Sequence, residues 1–379
     1  MIWSYRHLLR IDFRVIPVLI ALLFVSLITI SAYSTDGSPD ALEGSFFTPA
    51  VNRQIKGVLL GIGAFIFFAG FDYNKLREWT WLLYILMLFF LVGLFFTDSI
   101  QRVHRWYRLP LIGMNFQPSE YAKLVVVIAL SWFLERRSNQ TQSVSTAFFA
   151  LLIVAIPFAL ILKQPDLGTA LVLFPISLVM FYFGDIHPWV LKTMSTLAIC
   201  ILVLVALIFA GIVSHEQIRP HATKVLKAYQ FDRLDPNTHH QKAAATSIAI
   251  GGLTGKGWRN SEYASGGWLP EAYTDSVFPA FAEEFGFAGS LFVIILFYAL
   301  LYFSFQVTAV ASTHFGRLLS AGITVYLAMH ILVNIGMMCG LLPITGVPLV
   351  LISYGGTSIL STMTALGILQ SIYSRRFMF

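Results

Sequence analysis

Ten stretches of this chain stay apolar long enough to cross a bilayer, which fixes what it can fold into. They run near 13–33, 57–71, 80–96, 119–134, 146–162, 167–184, 189–213, 286–309, 317–341 and 356–373. A spanning helix needs roughly 17–25 apolar residues, because lipid offers nothing to an unpaired backbone group. The stretches near 57–71 and 119–134 are short and need neutral flanks to cross, so the count is ten, or nine if one stays out. Only 12% of the 379 residues are charged, about half the share in a soluble domain. The expected class is an all-α polytopic membrane protein. Cys200 and Cys339 lie inside apolar runs and read as packing residues rather than a disulfide or a metal pair.

The first span follows Arg6, Arg10 and Arg14 and shows no small-residue cleavage site, so it reads as an uncleaved anchor. Ten crossings bring both ends of the chain to one side. Lys75, Arg77, Arg136, Arg137, Arg317, Arg375 and Arg376 gather there, and short loops rich in Lys and Arg stay in the cytoplasm. Both termini are expected inside. Residues 214–285 become a large extracytoplasmic loop, too little chain for an independent enzyme domain. Residues 1–379 therefore read as a single membrane domain.

Several polar groups sit where lipid disfavours them. Arg102, Arg105 and Arg108 crowd the external loop before the fourth span. They are either snorkelling arginines or an anion site, since guanidinium matches phosphate geometry. The fourth span opens with Pro118, Ser119 and Glu120, and Lys123 follows on the same helix face. A charge at bilayer depth costs roughly 2.5–3.5 kcal/mol, so this is either a functional pair or a headgroup-level one. Lys163, Gln164 and Asp166 form a tight external turn around Pro165, with Asp166 placed to cap the next helix. Near the end, GLLPITGVPLVLISYGGTS is apolar yet broken by Pro343, Gly346, Pro348, Gly355 and Gly356. Irregular backbone at membrane depth must be covered by protein, so a broken or re-entrant element is expected before the last helix. In WLPEAYTDSVF, Glu271 and Asp275 stand four residues apart in the external loop.

Other patterns exclude functions. IGGLTGKGW has Ile250 where a phosphate loop needs its first glycine and Gly257 where it needs Ser or Thr; it reads as a glycine turn placing Lys256. His239 and His240 lack partners at metal spacing and read as a solvated pair. No soluble basic face exists for nucleic acid.

In chain order, RW (105–106), FQPSEYAK (116–123), QPDLGTA (164–170), GLTGKGW (252–258), LPEAYTD (269–275), FAEEFG (281–286), NIGMMCGLLPITGVPL (334–349) and LISYGGTS (351–358) resemble the shape, elongation, division and sporulation (SEDS) family. LLPITGVPL is more like its rod-shape branch than its division branch. The resemblance implies ten transmembrane helices and a peptidoglycan glycosyltransferase that polymerises lipid II at the outer face of the cytoplasmic membrane. A class B penicillin-binding protein, a transpeptidase, would be its partner, with other membrane proteins of the elongation complex. It places the catalytic acid on Asp275, the charged pair on Glu120 and Lys123, the RW arginine on Arg105 and the QPDLGT acid on Asp166. Four blocks depart from the family pattern, one of them the usual Asn-Gly-Ala before RW, replaced around Arg102 and Val103. Its LPEAHTD histidine is Tyr273, its glycine run shrinks to Gly251–Gly252, and HHQKAAATS occupies 239–247.

Polymerisation needs a base for a sugar hydroxyl and cations for a departing diphosphate, whereas a glycosidase needs a second carboxylate. Asp275 is the expected base, its carboxyl raised by burial against Trp268 or Phe278. Arg105, Lys123 and Lys256 are the expected diphosphate clamps, with Lys163, Gln164 and Asp166 at the same site. Glu271 is expected to hold the loop by pairing with an Arg or Lys. The sequence marks no cofactor; a divalent cation bridging the diphosphate is left open. A lipid II flippase and a scaffold for cell-wall enzymes are the rival readings.

Overall fold

The computed structural model describes residues 3–33, 46–97, 105–109, 114–222 and 231–377. Twelve α-helices lie among them: α1 (Val15–Tyr33), α2 (Pro49–Gly70), α3 (Asn74–Gly93), α4 (Pro118–Arg136), α5 (Val144–Lys163), α6 (Leu167–Phe183), α7 (Pro188–Phe209), α8 (His215–Ala222), α9 (His239–Gly251), α10 (Val277–Val310), α11 (His314–Met338) and α12 (Gly356–Ser374). One antiparallel hairpin, β1 (Tyr107–Leu109) with β2 (Met114–Phe116), precedes α4 and pairs Tyr107 with Phe116. Arg102 lies outside the described residues.

Each of the ten apolar stretches falls on a long helix. The two short ones gain an N-terminal turn that hydropathy hides. Thr48 caps α2 ahead of Pro49, its hydroxyl accepting from Val51 N–H, and Pro118 sits in the first turn of α4. Seven of the ten helices are long and apolar enough to cross a membrane. The other three, α4, α6 and α12, are interior helices with most of their residues buried. An interior helix meets protein rather than lipid, so small polar residues are tolerated. Thr364 returns its hydroxyl to Leu360 O at 2.8 Å, and Ser131 to Val127 O at 2.7 Å. At the other extreme, α7 buries only Val190 and Ile208.

The helices alternate in direction, because hydrogen bonds join their ends into two opposite layers. At one end Asp12 N–H donates to Gln370, Arg77 pairs with Glu135, and Gln142 reaches Asp185. At the other, Arg259 reaches Ser31 O, Gln54 reaches Ser353 O, and Tyr107 reaches Phe90 O. The expected loop 214–285 is shorter than its sequence suggests. Helix α10 begins at Val277, and residue 286, where the apolar run begins, is instead a kink with Gly286 at φ 65°. The segment before the kink packs against the loop rather than lipid, since Glu283 accepts from Tyr263 N–H, Ala264 N–H and Ser247. Both cysteines are free and exposed rather than packed.

Candidate active site

The site is built around backbone that is not helical. Residues 339–355 form neither helix nor strand, although Val347, Leu349, Val350, Leu351 and Ile352 are buried. Buried carbonyls need donors, and three helices and the loop supply them. Asn334 of α11 donates to Val347 O, Ser26 of α1 to Ile352 O, Gln54 of α2 to Ser353 O and Arg233 of the loop to Thr345 O. Ser353 binds back, accepting from Leu349 N–H at 2.8 Å and donating to Thr274 O at 2.6 Å. The element expected to be broken is therefore broken, and its backbone is satisfied by side chains distant in sequence.

Asp275 lies in the turn just before α10, against this segment. Asn334 Nδ2 donates to its carbonyl at 2.9 Å. Its carboxylate Oδ2 lies so near Gly346 that a Cβ there would approach to 3.2 Å, so only glycine leaves that wall open. Burial pushes the Asp275 carboxyl up to about 6; Glu271 adds to the rise, and Arg233 and Arg105 oppose it. Of the two side chains expected to cover this carboxyl, Phe278 is buried, whereas Trp268 is 60% exposed and stacks on Tyr263. Glu271 is exposed and its backbone is left-handed, at φ 52°, a conformation that non-glycine residues adopt only under constraint. Its partner is Thr274, whose hydroxyl donates to Oε2 at 2.7 Å, and among the described residues Glu271 forms no salt bridge with an Arg or Lys.

Arg105 is held from below. Its guanidinium donates to the carbonyls of Gln164 (3.2 Å) and Pro165. Gln164 is buried and donates to Leu91 O at 2.8 Å, tying this turn to α3. Asp166 is fully occupied as the cap of α6. It accepts from Thr169 N–H and Oγ1, from Ser119 Oγ at 2.8 Å and from Gln117 Nε2 at 3.0 Å. Gln164 and Asp166 thus position Arg105 and the start of α4 instead of facing open space. Lys163 is exposed at the rim.

Lys123 is not an open clamp. It is 0% exposed, 2.8 Å from Glu120 and 2.7 Å from His330 Nε2. His330 Nδ1 in turn lies 3.2 Å from Pro348 O. Since that oxygen only accepts, Nδ1 carries the proton and Nε2 accepts from the lysine. Among the described residues the pair reaches the broken segment through His330. Lys256 stands apart too, half-exposed and 3.8 Å from Glu262. Its glycine turn docks on the α10 kink, Lys256 N–H donating to Glu283 O and Gly257 N–H to Glu284 O.

Three contributors escaped the sequence reading. Arg233 acts on Asp275 from a loop position with no motif around it. His330 was a lone histidine in an apolar run, a signal that was there to be read. His240, read as solvated, is half-buried with Nε2 2.6 Å from Ser276 Oγ, next to Asp275. Burial lowers its basicity, partly offset by Glu271. Among the described residues no cluster of three or more His, Cys, Asp or Glu is arranged to hold a metal ion.

Comparison with known proteins agrees with this architecture. The chain is 29% identical over 375 residues to the peptidoglycan glycosyltransferase MrdB of Escherichia coli K12, covering 99% of this chain and 95% of that protein. It is 28% identical over 381 residues to a probable peptidoglycan glycosyltransferase FtsW of Geobacter sulfurreducens, covering 98% and 97%. In three dimensions it resembles a chain of a peptidoglycan synthase complex described as coordinating polymerization and crosslinking. The TM-score is 0.76 at 26% identity, over 97% of this chain and 99% of that one. The rod shape determining protein RodA of Thermus thermophilus shares the fold, with a TM-score of 0.68 at 22% identity over 97% and 98%. The sequence profile of the FtsW/RodA/SpoVE family, described as cell cycle protein, matches residues 13–376, and the chain belongs to that family of multi-pass membrane proteins.

Proposed function

We propose that this protein is a peptidoglycan glycosyltransferase that joins lipid II disaccharides into glycan strands for cell-wall elongation and cell shape. The observation that carries the reading is a single carboxyl, Asp275, raised to about 6 by burial and lying in the field of two guanidiniums, Arg233 and Arg105. A base works best with its pKa near the working pH. The acceptor hydroxyl oxygen attacks the anomeric carbon of the donor sugar and its proton passes to Asp275. The bond from that carbon to the diphosphate breaks, and the lipid diphosphate leaves with the electron pair. Arg105 and Arg233 stabilise the charge that grows on it. Arg233 replaces Lys123 and Lys256 as the second cation, and Lys163 stands at the mouth.

Both termini are assigned to the cytoplasm and the site to the outer face, supported by the arginines at the terminal end of the bundle. The loop from 214 belongs to the same membrane domain, since Trp258 and Arg259 bond to the end of α1. The likeness to a synthase-complex chain supports a class B penicillin-binding protein as partner, beside other membrane proteins of elongation. Neither a flippase nor a scaffold has use for a raised carboxyl between two guanidiniums.

The test is purified protein, with and without a cognate transpeptidase, incubated with lipid II and resolved on a gel. Wild type should yield polymer and Asp275→Asn none, with expression and partner binding unchanged. Polymer from Asp275→Asn at near wild-type speed would overturn the assignment.

A further inference from the structure

The end of the bundle that carries both termini holds a cleft with no part in this chemistry. The short 3-10 helix Tyr5–Arg10, the turn at Asp12 and the residues after α12 enclose about 390 Å³. Arg10 and Arg376 line it together with Leu9, Phe13 and Phe377. Its one acid, Asp12, is 4% exposed and taken by Arg14, which donates to both carboxylate oxygens at 2.8 Å. Among the described residues no carboxylate forms a salt bridge with Arg10 or Arg376. The Arg376 guanidinium is fixed against the Tyr373 ring at 3.8 Å and the Phe377 ring at 4.5 Å, with Nη1 donating to Tyr373 O.

The apolar side of the cleft is equally unpartnered: Leu9 is 73% exposed, Phe13 59% and Phe377 84%. A water-facing surface rarely keeps such a patch. Here, however, α1 starts at Val15 and α12 ends at Ser374, so the cleft lies within a turn of two spanning ends, at headgroup depth. At that depth guanidiniums meet phosphates, and rings meet the upper acyl chains. A zwitterionic headgroup would leave the two cations uncompensated, and a soluble anion would leave the rings bare. We infer that this cleft binds the phosphate headgroup of an anionic phospholipid of the surrounding bilayer. Arg10 and Arg376 hold the phosphate, and Leu9, Phe13 and Phe377 hold the glycerol end of the acyl chains.

The test uses the full chain in nanodiscs of equal parts phosphatidylglycerol and phosphatidylcholine, with retained lipid counted by native mass spectrometry. Wild type should retain phosphatidylglycerol selectively. Arg10→Gln with Arg376→Gln should lower that retention about thirtyfold, the effect expected for two headgroup-level arginines. Lys192→Gln, an exposed basic residue at the same end, should change nothing, and thermal melting checks that every variant is folded. Excess glycerol 1-phosphate should displace little of the lipid. Undiminished retention in the double variant, an equal loss in Lys192→Gln, or full displacement by glycerol 1-phosphate would each overturn the inference.

Discussion

Asn334 holds Asp275 by its backbone: one side-chain amide donates to the Asp275 carbonyl at 2.9 Å and to Val347 O at 2.7 Å. The same nitrogen thus fixes Asp275, the proposed base, and the broken segment behind it. Asn334→Ala leaves two inward carbonyls without that donor, at roughly 1–3 kcal/mol each. Polymerisation of lipid II should fall by about tenfold to a hundredfold, with a lower melting temperature. Asn334→Asp should be worse, since an acceptor would then face two acceptors. A wild-type rate in Asn334→Asp would show that the base does not depend on this tie.

A base raised to about 6 makes the rate climb with pH as the carboxylate forms, with the half-point near that value. The neighbours should move this limb in opposite directions. Glu271→Gln removes a charge that raises Asp275, so the limb shifts toward acid. Arg233→Gln removes one that lowers it, so the limb shifts toward alkali. Initial rates across pH for the two variants check this; shifts in the same direction would contradict the geometry.

The same shift is a statement about stability. The folded value lies above the ordinary 3.8, so the favourable contribution of Asp275 is fully present below 3.8. It is lost as pH rises through about 6. At neutral pH the fold carries a carboxylate it disfavours, by roughly 2–3 kcal/mol. Asp275→Asn should therefore melt higher than wild type at neutral pH while making no polymer, a gain that disappears below the ordinary carboxyl range. Thermal melts at both pH values decide it, and a lower melting temperature at neutral pH would contradict the burial.

The helices were legible because lipid leaves a chain little choice: each long apolar run became one. What failed was the boundaries, for a physical reason. Gln54, Glu120 and Lys123 count against a span in any hydropathy sum, yet they sit inside helices: Gln54 bonds Ser26 and Ser353, and Lys123 pairs with Glu120 one turn away and reaches His330 of another helix. Asp275 and Arg105 stood out through their local motifs. Arg233 did not, because its partner Thr345 is 112 residues away and only folding brings the two together. Lys123 looked like a clamp because sequence gives charge without burial.

Lys123 is the interior partner of Glu120, whose second oxygen has no hydrogen-bond partner among the described residues. Lys123→Met should cost about 3–5 kcal/mol, because it leaves a buried acid alone. The double variant Glu120→Leu with Lys123→Met should recover much of that stability, since apolar residues of similar volume replace buried pairs well. Polymerisation should remain impaired, because His330 then loses the lysine that orients it toward Pro348. Melting temperatures of the single and double variants test the pairing; a single variant as stable as wild type would exclude it.

The two guanidiniums carry the last prediction. Arg105 spends part of its fork on the carbonyls of Gln164 and Pro165, so it meets a diphosphate in one fixed orientation. A lysine there keeps the charge but cannot bond both carbonyls and still present a donor. Arg105→Lys and Arg233→Gln should each lower kcat by about tenfold to a hundredfold, the effect of one charge-assisted donor to a growing anion. KM for lipid II should move less, because the charge appears only as the bond breaks. Lys256→Gln and Lys163→Gln, the cations standing apart from Asp275, should keep near wild-type rates. Steady-state kinetics on the four variants separate these cases. Loss in the two lysine variants with retention in the two arginine variants would move the diphosphate away from Asp275.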